Sequence, residues 1–278
     1  MELADKFIPT AGVVGILPMI TYFFLVVTTY AFLGHFIFAL ASRTSVGPEH
    51  RTSQILTAMI AAVAGLSYYL IQYYYHDLLT ELARVTDPND RQTLIRESYT
   101  AIGQYRYMDW AVTTPLLLIK ILLMLRIPLH EIKRPLASLL AADFFMILTG
   151  YIGEQQMSFD NEILVGPKLI WGAVSTLGYA VIPFVLYQLW KQFAHRALPE
   201  EQQAYRLMAL TTVTFWGVYP IGYILTVFNI DLNYIHIAFT IADVINKVGV
   251  GVVAYLASKT AVERRVPEDA VATAHQLG

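Results

Sequence analysis

The stretch YRYMDWAVTTPLLLIK, Tyr105 to Lys120, decides the fold. It lies inside an apolar run long enough to cross a bilayer, yet it contains an arginine, an aspartate and a lysine. Each such group costs about 2.5–3.5 kcal/mol at the centre of a membrane helix even on lenient scales. A segment that keeps three of them needs compensating partners, so its meaning depends on the rest of the chain.

The 278 residues are 56% hydrophobic and 14% charged, whereas soluble domains are about 25% charged. That composition implies a polytopic, all-α membrane protein. A net charge of −2 gives no sign of a nucleic-acid partner. The absence of cysteine excludes disulfides, thiolate catalysis and cysteine metal sites, and the seven histidines show no metal-ligand spacing. The opening MELADKFIPT lacks a basic n-region and a cleavage signal, so no conventional signal peptide is expected.

A hydrocarbon core needs about 20 apolar residues per helix. Seven spans meet this, at roughly 14–42, 49–76, 101–125, 134–153, 167–193, 203–228 and 234–259. Pro48 suits the first turn of the second span. The segment from His76 to Thr100 is expected to be the longest loop, with DPND as a turn signal. Lys and Arg set orientation. With the N-terminus outside, the cytoplasmic side carries Arg43, Arg51, Arg126, Lys133, Arg134, Lys191, Arg196, Arg206, Lys259, Arg264 and Arg265. The outer side carries only Lys6, Arg84, Arg91, Arg96 and Lys168. N-out, C-in is therefore expected. The domain reading is an extracellular segment 1–13, a seven-helix domain 14–260 and a polar cytoplasmic tail 261–278 that is expected to be mobile from Val266.

Charged groups deep in the spans are expected only on the third, fourth and seventh: Arg106, Asp109, Lys120, Asp143, Asp243 and Lys247. Intramembrane ionisable residues usually face the bundle interior and mark a pathway or a counter-ion. At about 100° per residue, Thr113, Lys120 and Arg106 lie about 40°, 20° and 60° from Asp109, so the four share a face. Lys120 stands about 16 Å further toward the cytoplasm than Asp109. In IADVINKVGVG, Asp243 and Lys247 are four residues apart on one face. That lysine reads either as an ion-pair partner or as a desolvated amine able to bond an aldehyde. In FWGVYPIGY, Trp216, Tyr219 and Tyr223 recur at helical spacing around Pro220, which interrupts backbone bonding. Such a stripe packs a core or lines a pocket for a flat apolar ligand.

Together, RYMDWAVTTPLLL, FWGVYPIGY and DVINKVG, on the third, sixth and seventh spans, resemble the microbial (type 1) rhodopsins. The resemblance extends over about 14–260 and points to the bacterial proton-pump branch, which includes the proteorhodopsins and xanthorhodopsin-like pumps. It implies a light-driven outward proton pump in the cell membrane, with all-trans retinal bound at Lys247 as a protonated Schiff base. Asp109 and Asp243 match counter-ion positions, and Asp109 also matches the proton acceptor. Arg106 matches the arginine on their outer side and Thr113 the threonine beside the acceptor. Trp110, Gly150, Ser175, Trp216, Tyr219, Pro220 and Tyr223 match pocket positions. Thr114 and Asp143 match a pair bonded between the third and fourth spans, with Asp143 protonated and structural. Leu117 matches a colour-tuning position. Lys120 matches the cytoplasmic donor, as in pumps that use lysine there; an apolar site favours its neutral form, which can take a proton from the cytoplasm and pass it on. The other reading is that Lys120 snorkels to the interface. A homo-oligomer, trimer or pentamer, is also implied, with the lipid bilayer and protons as the other partners.

Three positions depart from the pattern. Ser67, in AGLSYYL, stands where many bacterial members place a histidine beside the acceptor. The outer end of the seventh span lacks the release glutamate of some archaeal members, and His236 there is expected to be interfacial. Gly172, in WGAVST, matches a position where glycine opens a window for a carotenoid antenna in some relatives; it also reads as a packing glycine. The alternatives to a pump are a light-gated channel, a photosensor, or a non-photoactive seven-helix transporter in which Lys247 is only an ion-pair partner.

Overall fold

The computed structural model describes residues 8–128, 130–228 and 230–276, with side chains to Arg264. After a single turn, Ala11–Val14, the chain breaks at Gly15, whose φ of 101° favours glycine. The long helices follow as α1 (Ile16–Ala41), α2 (Arg51–Leu82), α3 (Pro88–Leu123), α4 (Lys133–Glu154) and α5 (Val165–Phe193). The sixth crossing is split into α6 (Pro199–Thr214) and α7 (Val218–Leu225), and the seventh into α8 (Leu232–Val244) and α9 (Val250–Gln276). The helical backbone thus continues past 260.

Six crossings qualify as membrane spans by length and composition. The seventh is α3, whose 36 residues include Arg91, Arg96, Arg106, Asp109 and Lys120. The protein is a seven-helix membrane bundle, and the feature that disqualifies α3 by hydropathy is the one that organises its interior.

The long loop expected over 76–100 does not exist. α2 runs on to Leu82 and α3 starts at Pro88, leaving a short connection. The DPND turn signal is a helix start instead: Asp87 caps the backbone N–H groups of Asn89 and Asp90, and Pro88 takes the first helical position, where its missing N–H costs nothing. Arg91 donates to the carbonyls of Leu82 and Val85, satisfying the end of the preceding helix.

Two backbone interruptions break the last two crossings, and the sequence marks the first of them. Pro220 cannot donate to the carbonyl of Trp216, and a 3₁₀ turn at Phe215–Gly217 separates α6 from α7. Lys247 sits in a π-helical turn, Ile245–Gly249, between α8 and α9; such turns concentrate at functional sites. On the cytoplasmic half the core is aliphatic, built from Leu117, Leu118, Ile121, Leu125, Leu186, Leu189 and Val250. On the outer half it is richer in aromatics, with Phe32, Tyr68 and Tyr75 in one cluster and Tyr99, Trp110 and Phe239 in another.

Candidate functional site

Lys247 and Asp109 are both buried, and the Lys247 ammonium contacts Asp109 Oδ2. Asp243, one turn earlier, places Oδ2 at 3.5 Å from the same nitrogen. The seventh crossing and α3 therefore hold one cation between two acids, as the spacing predicts. The ring of Phe32, on α1, closes another side, 5.7 Å from Lys247 Nζ.

The two carboxylates are not equivalent. Asp243 accepts from Tyr68 Oη at 2.8 Å, Tyr219 Oη at 2.6 Å and Trp110 Nε1 at 3.2 Å, and Arg106 Nη1 lies 3.9 Å away. Arg106 in turn donates to Tyr68 Oη at 2.9 Å and Thr240 Oγ1 at 3.2 Å. Asp109 has the Lys247 contact on Oδ2, while its buried Oδ1 has no partner among the described residues. Thr113 spends its hydroxyl proton on the Asp109 backbone carbonyl at 2.9 Å. Asp243 is thus ringed by three donors and a nearby guanidinium, and Asp109 is the acid with unused capacity to accept.

Sequence reading missed Tyr68. It identified the helix-two position as Ser67, which is only half-buried, whereas the next residue is fully buried and joins Asp243 to Arg106. The signal was present in AGLSYYL: a tyrosine within the span offers a hydroxyl for a buried acid. Thr240 was missed for the same reason.

Beyond Lys247 a cleft runs toward the outer half of α4 and α5. Trp110, Thr114, Leu117, Gly150, Gly172, Ser175, Trp216, Tyr219, Pro220 and Tyr223 all line it, together with Met146, Ile147 and Phe239. At Gly150 an added Cβ would stand 3.1 Å from the Tyr107 ring and 3.3 Å from Ser175 Oγ, so glycine preserves the width there. Asp143, expected as Thr114's partner between the third and fourth spans, is not among the residues that line the cleft. It stands behind Thr114, with 2.8 Å between Oδ2 and Thr114 Oγ1. Thr114 also lies 2.7 Å from the Trp110 carbonyl. One hydroxyl proton cannot serve both acceptors at once.

Gly172 faces the Tyr223 ring, and an added Cβ there would lie 2.6 Å from Tyr223 Cε1. Gly153 meets the Tyr223 hydroxyl from the other side, and that hydroxyl donates to the Lys168 carbonyl at 2.6 Å. The two glycines make room for the tyrosine.

Buried charge is not confined to the third, fourth and seventh crossings. Lys168, counted only among the charges of the outer side, is buried in the first turn of α5 and donates to Glu154 at 3.1 Å. Glu154 is the last residue of α4, so the pair ties two helix ends across a short connection. At the cytoplasmic end, buried Glu201 accepts from Arg126 and from the Leu198 N–H and bonds His50 at 2.7 Å. His236 is buried rather than interfacial, with the rings of Tyr75 and Tyr99 at 6.1 and 5.1 Å. Lys120 does not snorkel. It is fully buried and its Nζ has no partner among the described residues, because the cytoplasmic turns of α3 sit within the aliphatic core instead of reaching the surface.

A seven-helix bundle with a buried lysine between two acids, at the head of an aromatic cleft, defines a class of membrane protein before any comparison is made. The family described as bacteriorhodopsin-like protein matches residues 18–261, and the chain belongs to it: it is a microbial rhodopsin, a multi-pass protein of the cell membrane. Among its relatives, a bacteriorhodopsin-II-like protein of Haloquadratum walsbyi is 31% identical over 69% of this chain and 70% of its own length. A green-light absorbing proteorhodopsin of a gamma-proteobacterium is 24% identical over 81% of each chain. The crystal structure of Exiguobacterium sibiricum rhodopsin superposes with a TM-score of 0.72 at 27% identity, covering 87% of this chain and 97% of that one. These relatives support membership of a family of light-driven proton pumps, which are transporters. The family implies a retinal chromophore, and the residues present fit one: an amine at the head of the cleft, two acids on its outer side and flat aromatic walls.

Proposed function

We propose that the protein is a light-driven outward proton pump that carries retinal on Lys247. One observation supports this above the rest: a buried amine is flanked by two unequal acids on one side and by a second buried amine, Lys120, on the other. Bound there, retinal would supply a light-driven change in the direction and proton affinity of the Lys247 nitrogen.

The chain's own groups do the rest. Before light, the positive Lys247 nitrogen is balanced by Asp109 and Asp243. The proton passes to Asp109 because that carboxylate has an unpartnered oxygen, whereas protonating Asp243 would disrupt bonds from Tyr68, Tyr219 and Trp110. Asp243 stays charged beside Arg106, which links the site to the outer half. Transfer back is blocked if the nitrogen then takes its next proton from the cytoplasmic side, where Lys120 is the group on the same face of α3. The apolar core around this part of α3 separates the two amines.

The test is the pH of an unbuffered suspension of cells making the protein and supplied with retinal. Illumination should acidify the medium, and a protonophore should collapse the signal. A protein that forms a visible band but moves no protons in light would leave a photosensor. A light-dependent conductance that follows the imposed gradient would identify a channel.

A further inference from the structure

We infer that His50 is the proton-collecting residue at the cytoplasmic end of this chain, held for that role by Glu201, and that it feeds a stripe on α2 leading toward Lys247. This role rests on the pump reading above and names the group that takes up protons from the cytoplasm.

A 3₁₀ turn, Pro48–His50, leads into α2 and brings His50 against the first turn of α6. His50 is 1% exposed and Glu201 0%. Glu201 Oε2 accepts from Arg126 Nε at 2.7 Å and from the Leu198 N–H at 2.8 Å, and Oε1 accepts from Arg126 Nη2 at 2.7 Å. With both oxygens accepting, His50 Nε2 is the donor in its 2.7 Å contact with Oε1. A neutral imidazole that donates through Nε2 keeps its lone pair on Nδ1. That Nδ1 is buried and has no hydrogen-bond partner among the described residues. The charged groups around the ring are Glu201 on α6, Arg126 in the turn after α3, and Glu49 on its own segment, 3.6 Å from Arg126. The Arg126 and Glu49 side chains are partly exposed, so cytoplasmic water meets the edge of the cluster. Arg126 also holds a φ of 53°, a left-handed conformation that a non-glycine residue keeps only where its surroundings enforce it.

Inward from His50, α2 presents Gln54, Thr57, Ala61, Ala64 and Tyr68 at steps of three and four residues, all buried on one face. Gln54 leaves Oε1 unpartnered. Thr57 meets the seventh crossing at Gly251, one helical turn beyond Lys247. A Cβ at Gly251 would lie 3.1 Å from Thr57 Cγ2 and would overlap the ring of His35, whose Nε2 is also unpartnered. α2 packs as well on the part of α3 that carries Lys120, where Ile60 shares a core with Leu117, Leu118 and Ile121. The stripe is polar as far as Thr57 and small beyond it, and it ends at Tyr68, which donates to Asp243.

A proton from cytoplasmic water adds at His50 Nδ1, and the resulting imidazolium is balanced by Glu201. The same nitrogen then releases the proton toward Gln54 and Thr57 and returns to the neutral form. A purely structural clamp between α3 and α6 is already complete in the Arg126–Glu201 bonds. It has no use for a buried imidazole with an open nitrogen, which is a cost to the fold.

The experiment is flash kinetics on retinal-loaded protein in liposomes, with a pH dye on the cytoplasmic side reading proton uptake across pH. His50→Gln keeps a side chain able to donate to Glu201 but none that takes up a proton. It should slow uptake roughly 10²-fold and make the rate follow bulk proton concentration, with the transfer to Asp109 unchanged. Wild-type uptake and pH profile in this variant would overturn the inference. Gln54→Leu leaves the Glu201 contacts whole and should slow uptake in the same direction. It decides the matter if His50→Gln does not fold, and a wild-type rate there removes the route. A further arm needs no light: ¹⁵N NMR should show His50 Nδ1 gaining a proton as the pH falls. In Glu201→Gln that gain should need a lower pH, because the imidazolium loses its anion while Arg126 remains. A His50 that does not titrate, or titrates alike in both proteins, also sinks the role. If the wild type moves no protons in light, the pump reading alone fails, and the NMR arm still decides whether His50 exchanges a proton under the control of Glu201.

Discussion

The outer and cytoplasmic sides of Lys247 are built on opposite rules. Outside, polar groups are densely satisfied: Asp243 takes three hydrogen bonds, and Arg106 is tied to Tyr68 and Thr240. Toward the cytoplasm, Lys120, His35 and Gln54 each leave a buried polar atom unpartnered within an aliphatic core. A satisfied network holds charge in place. Unsatisfied groups in a dry region favour neutrality and take up charge only transiently. The contrast supports a device that stores charge on one side of an amine and resupplies protons from the other.

Replacing the amine removes the reference point for both halves. Lys247→Ala should abolish the visible band on adding retinal and all light-driven pH change. A coloured, pumping variant would dissolve the comparison. Next in size, Asp109→Asn should keep a shifted visible band but eliminate net proton movement, because Asp243 is held by its donors and does not substitute as acceptor; flash spectroscopy with a pH dye checks this. Lys120→Ala tests the cytoplasmic half alone. Return of the proton should slow roughly 10²-fold and become strongly dependent on bulk pH, with the transfer to Asp109 unchanged. Lys168→Met leaves Glu154 as an unpaired buried acid, so thermal or denaturant unfolding in detergent should report a loss of about 3–5 kcal/mol with the photochemistry largely intact. Tyr68→Phe removes one donor from Asp243 and an acceptor from Arg106. It should cost about 1–3 kcal/mol, read as faster thermal bleaching, while proton return from the cytoplasm keeps its rate.

How much of this was legible in the sequence follows from the range of the forces involved. The interval between Asp109 and Lys120, the four-residue step from Asp243 to Lys247 and the proline in FWGVYPIGY are properties of single helices, and helical geometry converts them directly into faces and heights. The Asp87–Pro88 helix start was equally local, yet the turn chemistry of DPND was read as a loop, because Asp and Pro favour a turn and a helix N-terminus alike.

What the sequence by itself determined is the seven-helix bundle, the lysine with two acids and the aromatic wall, since each rests on spacing within one span or on the length of apolar runs. Tertiary structure alone decided that Tyr68 reaches Asp243, that Lys168 pairs with Glu154, that Tyr223 packs against Gly172, and that the His35 ring packs against Gly251. Those pairings join residues on different helices, and their distances depend on how the helices rotate and approach one another. No periodicity along one segment encodes that rotation; it emerges only when every buried face is packed at once.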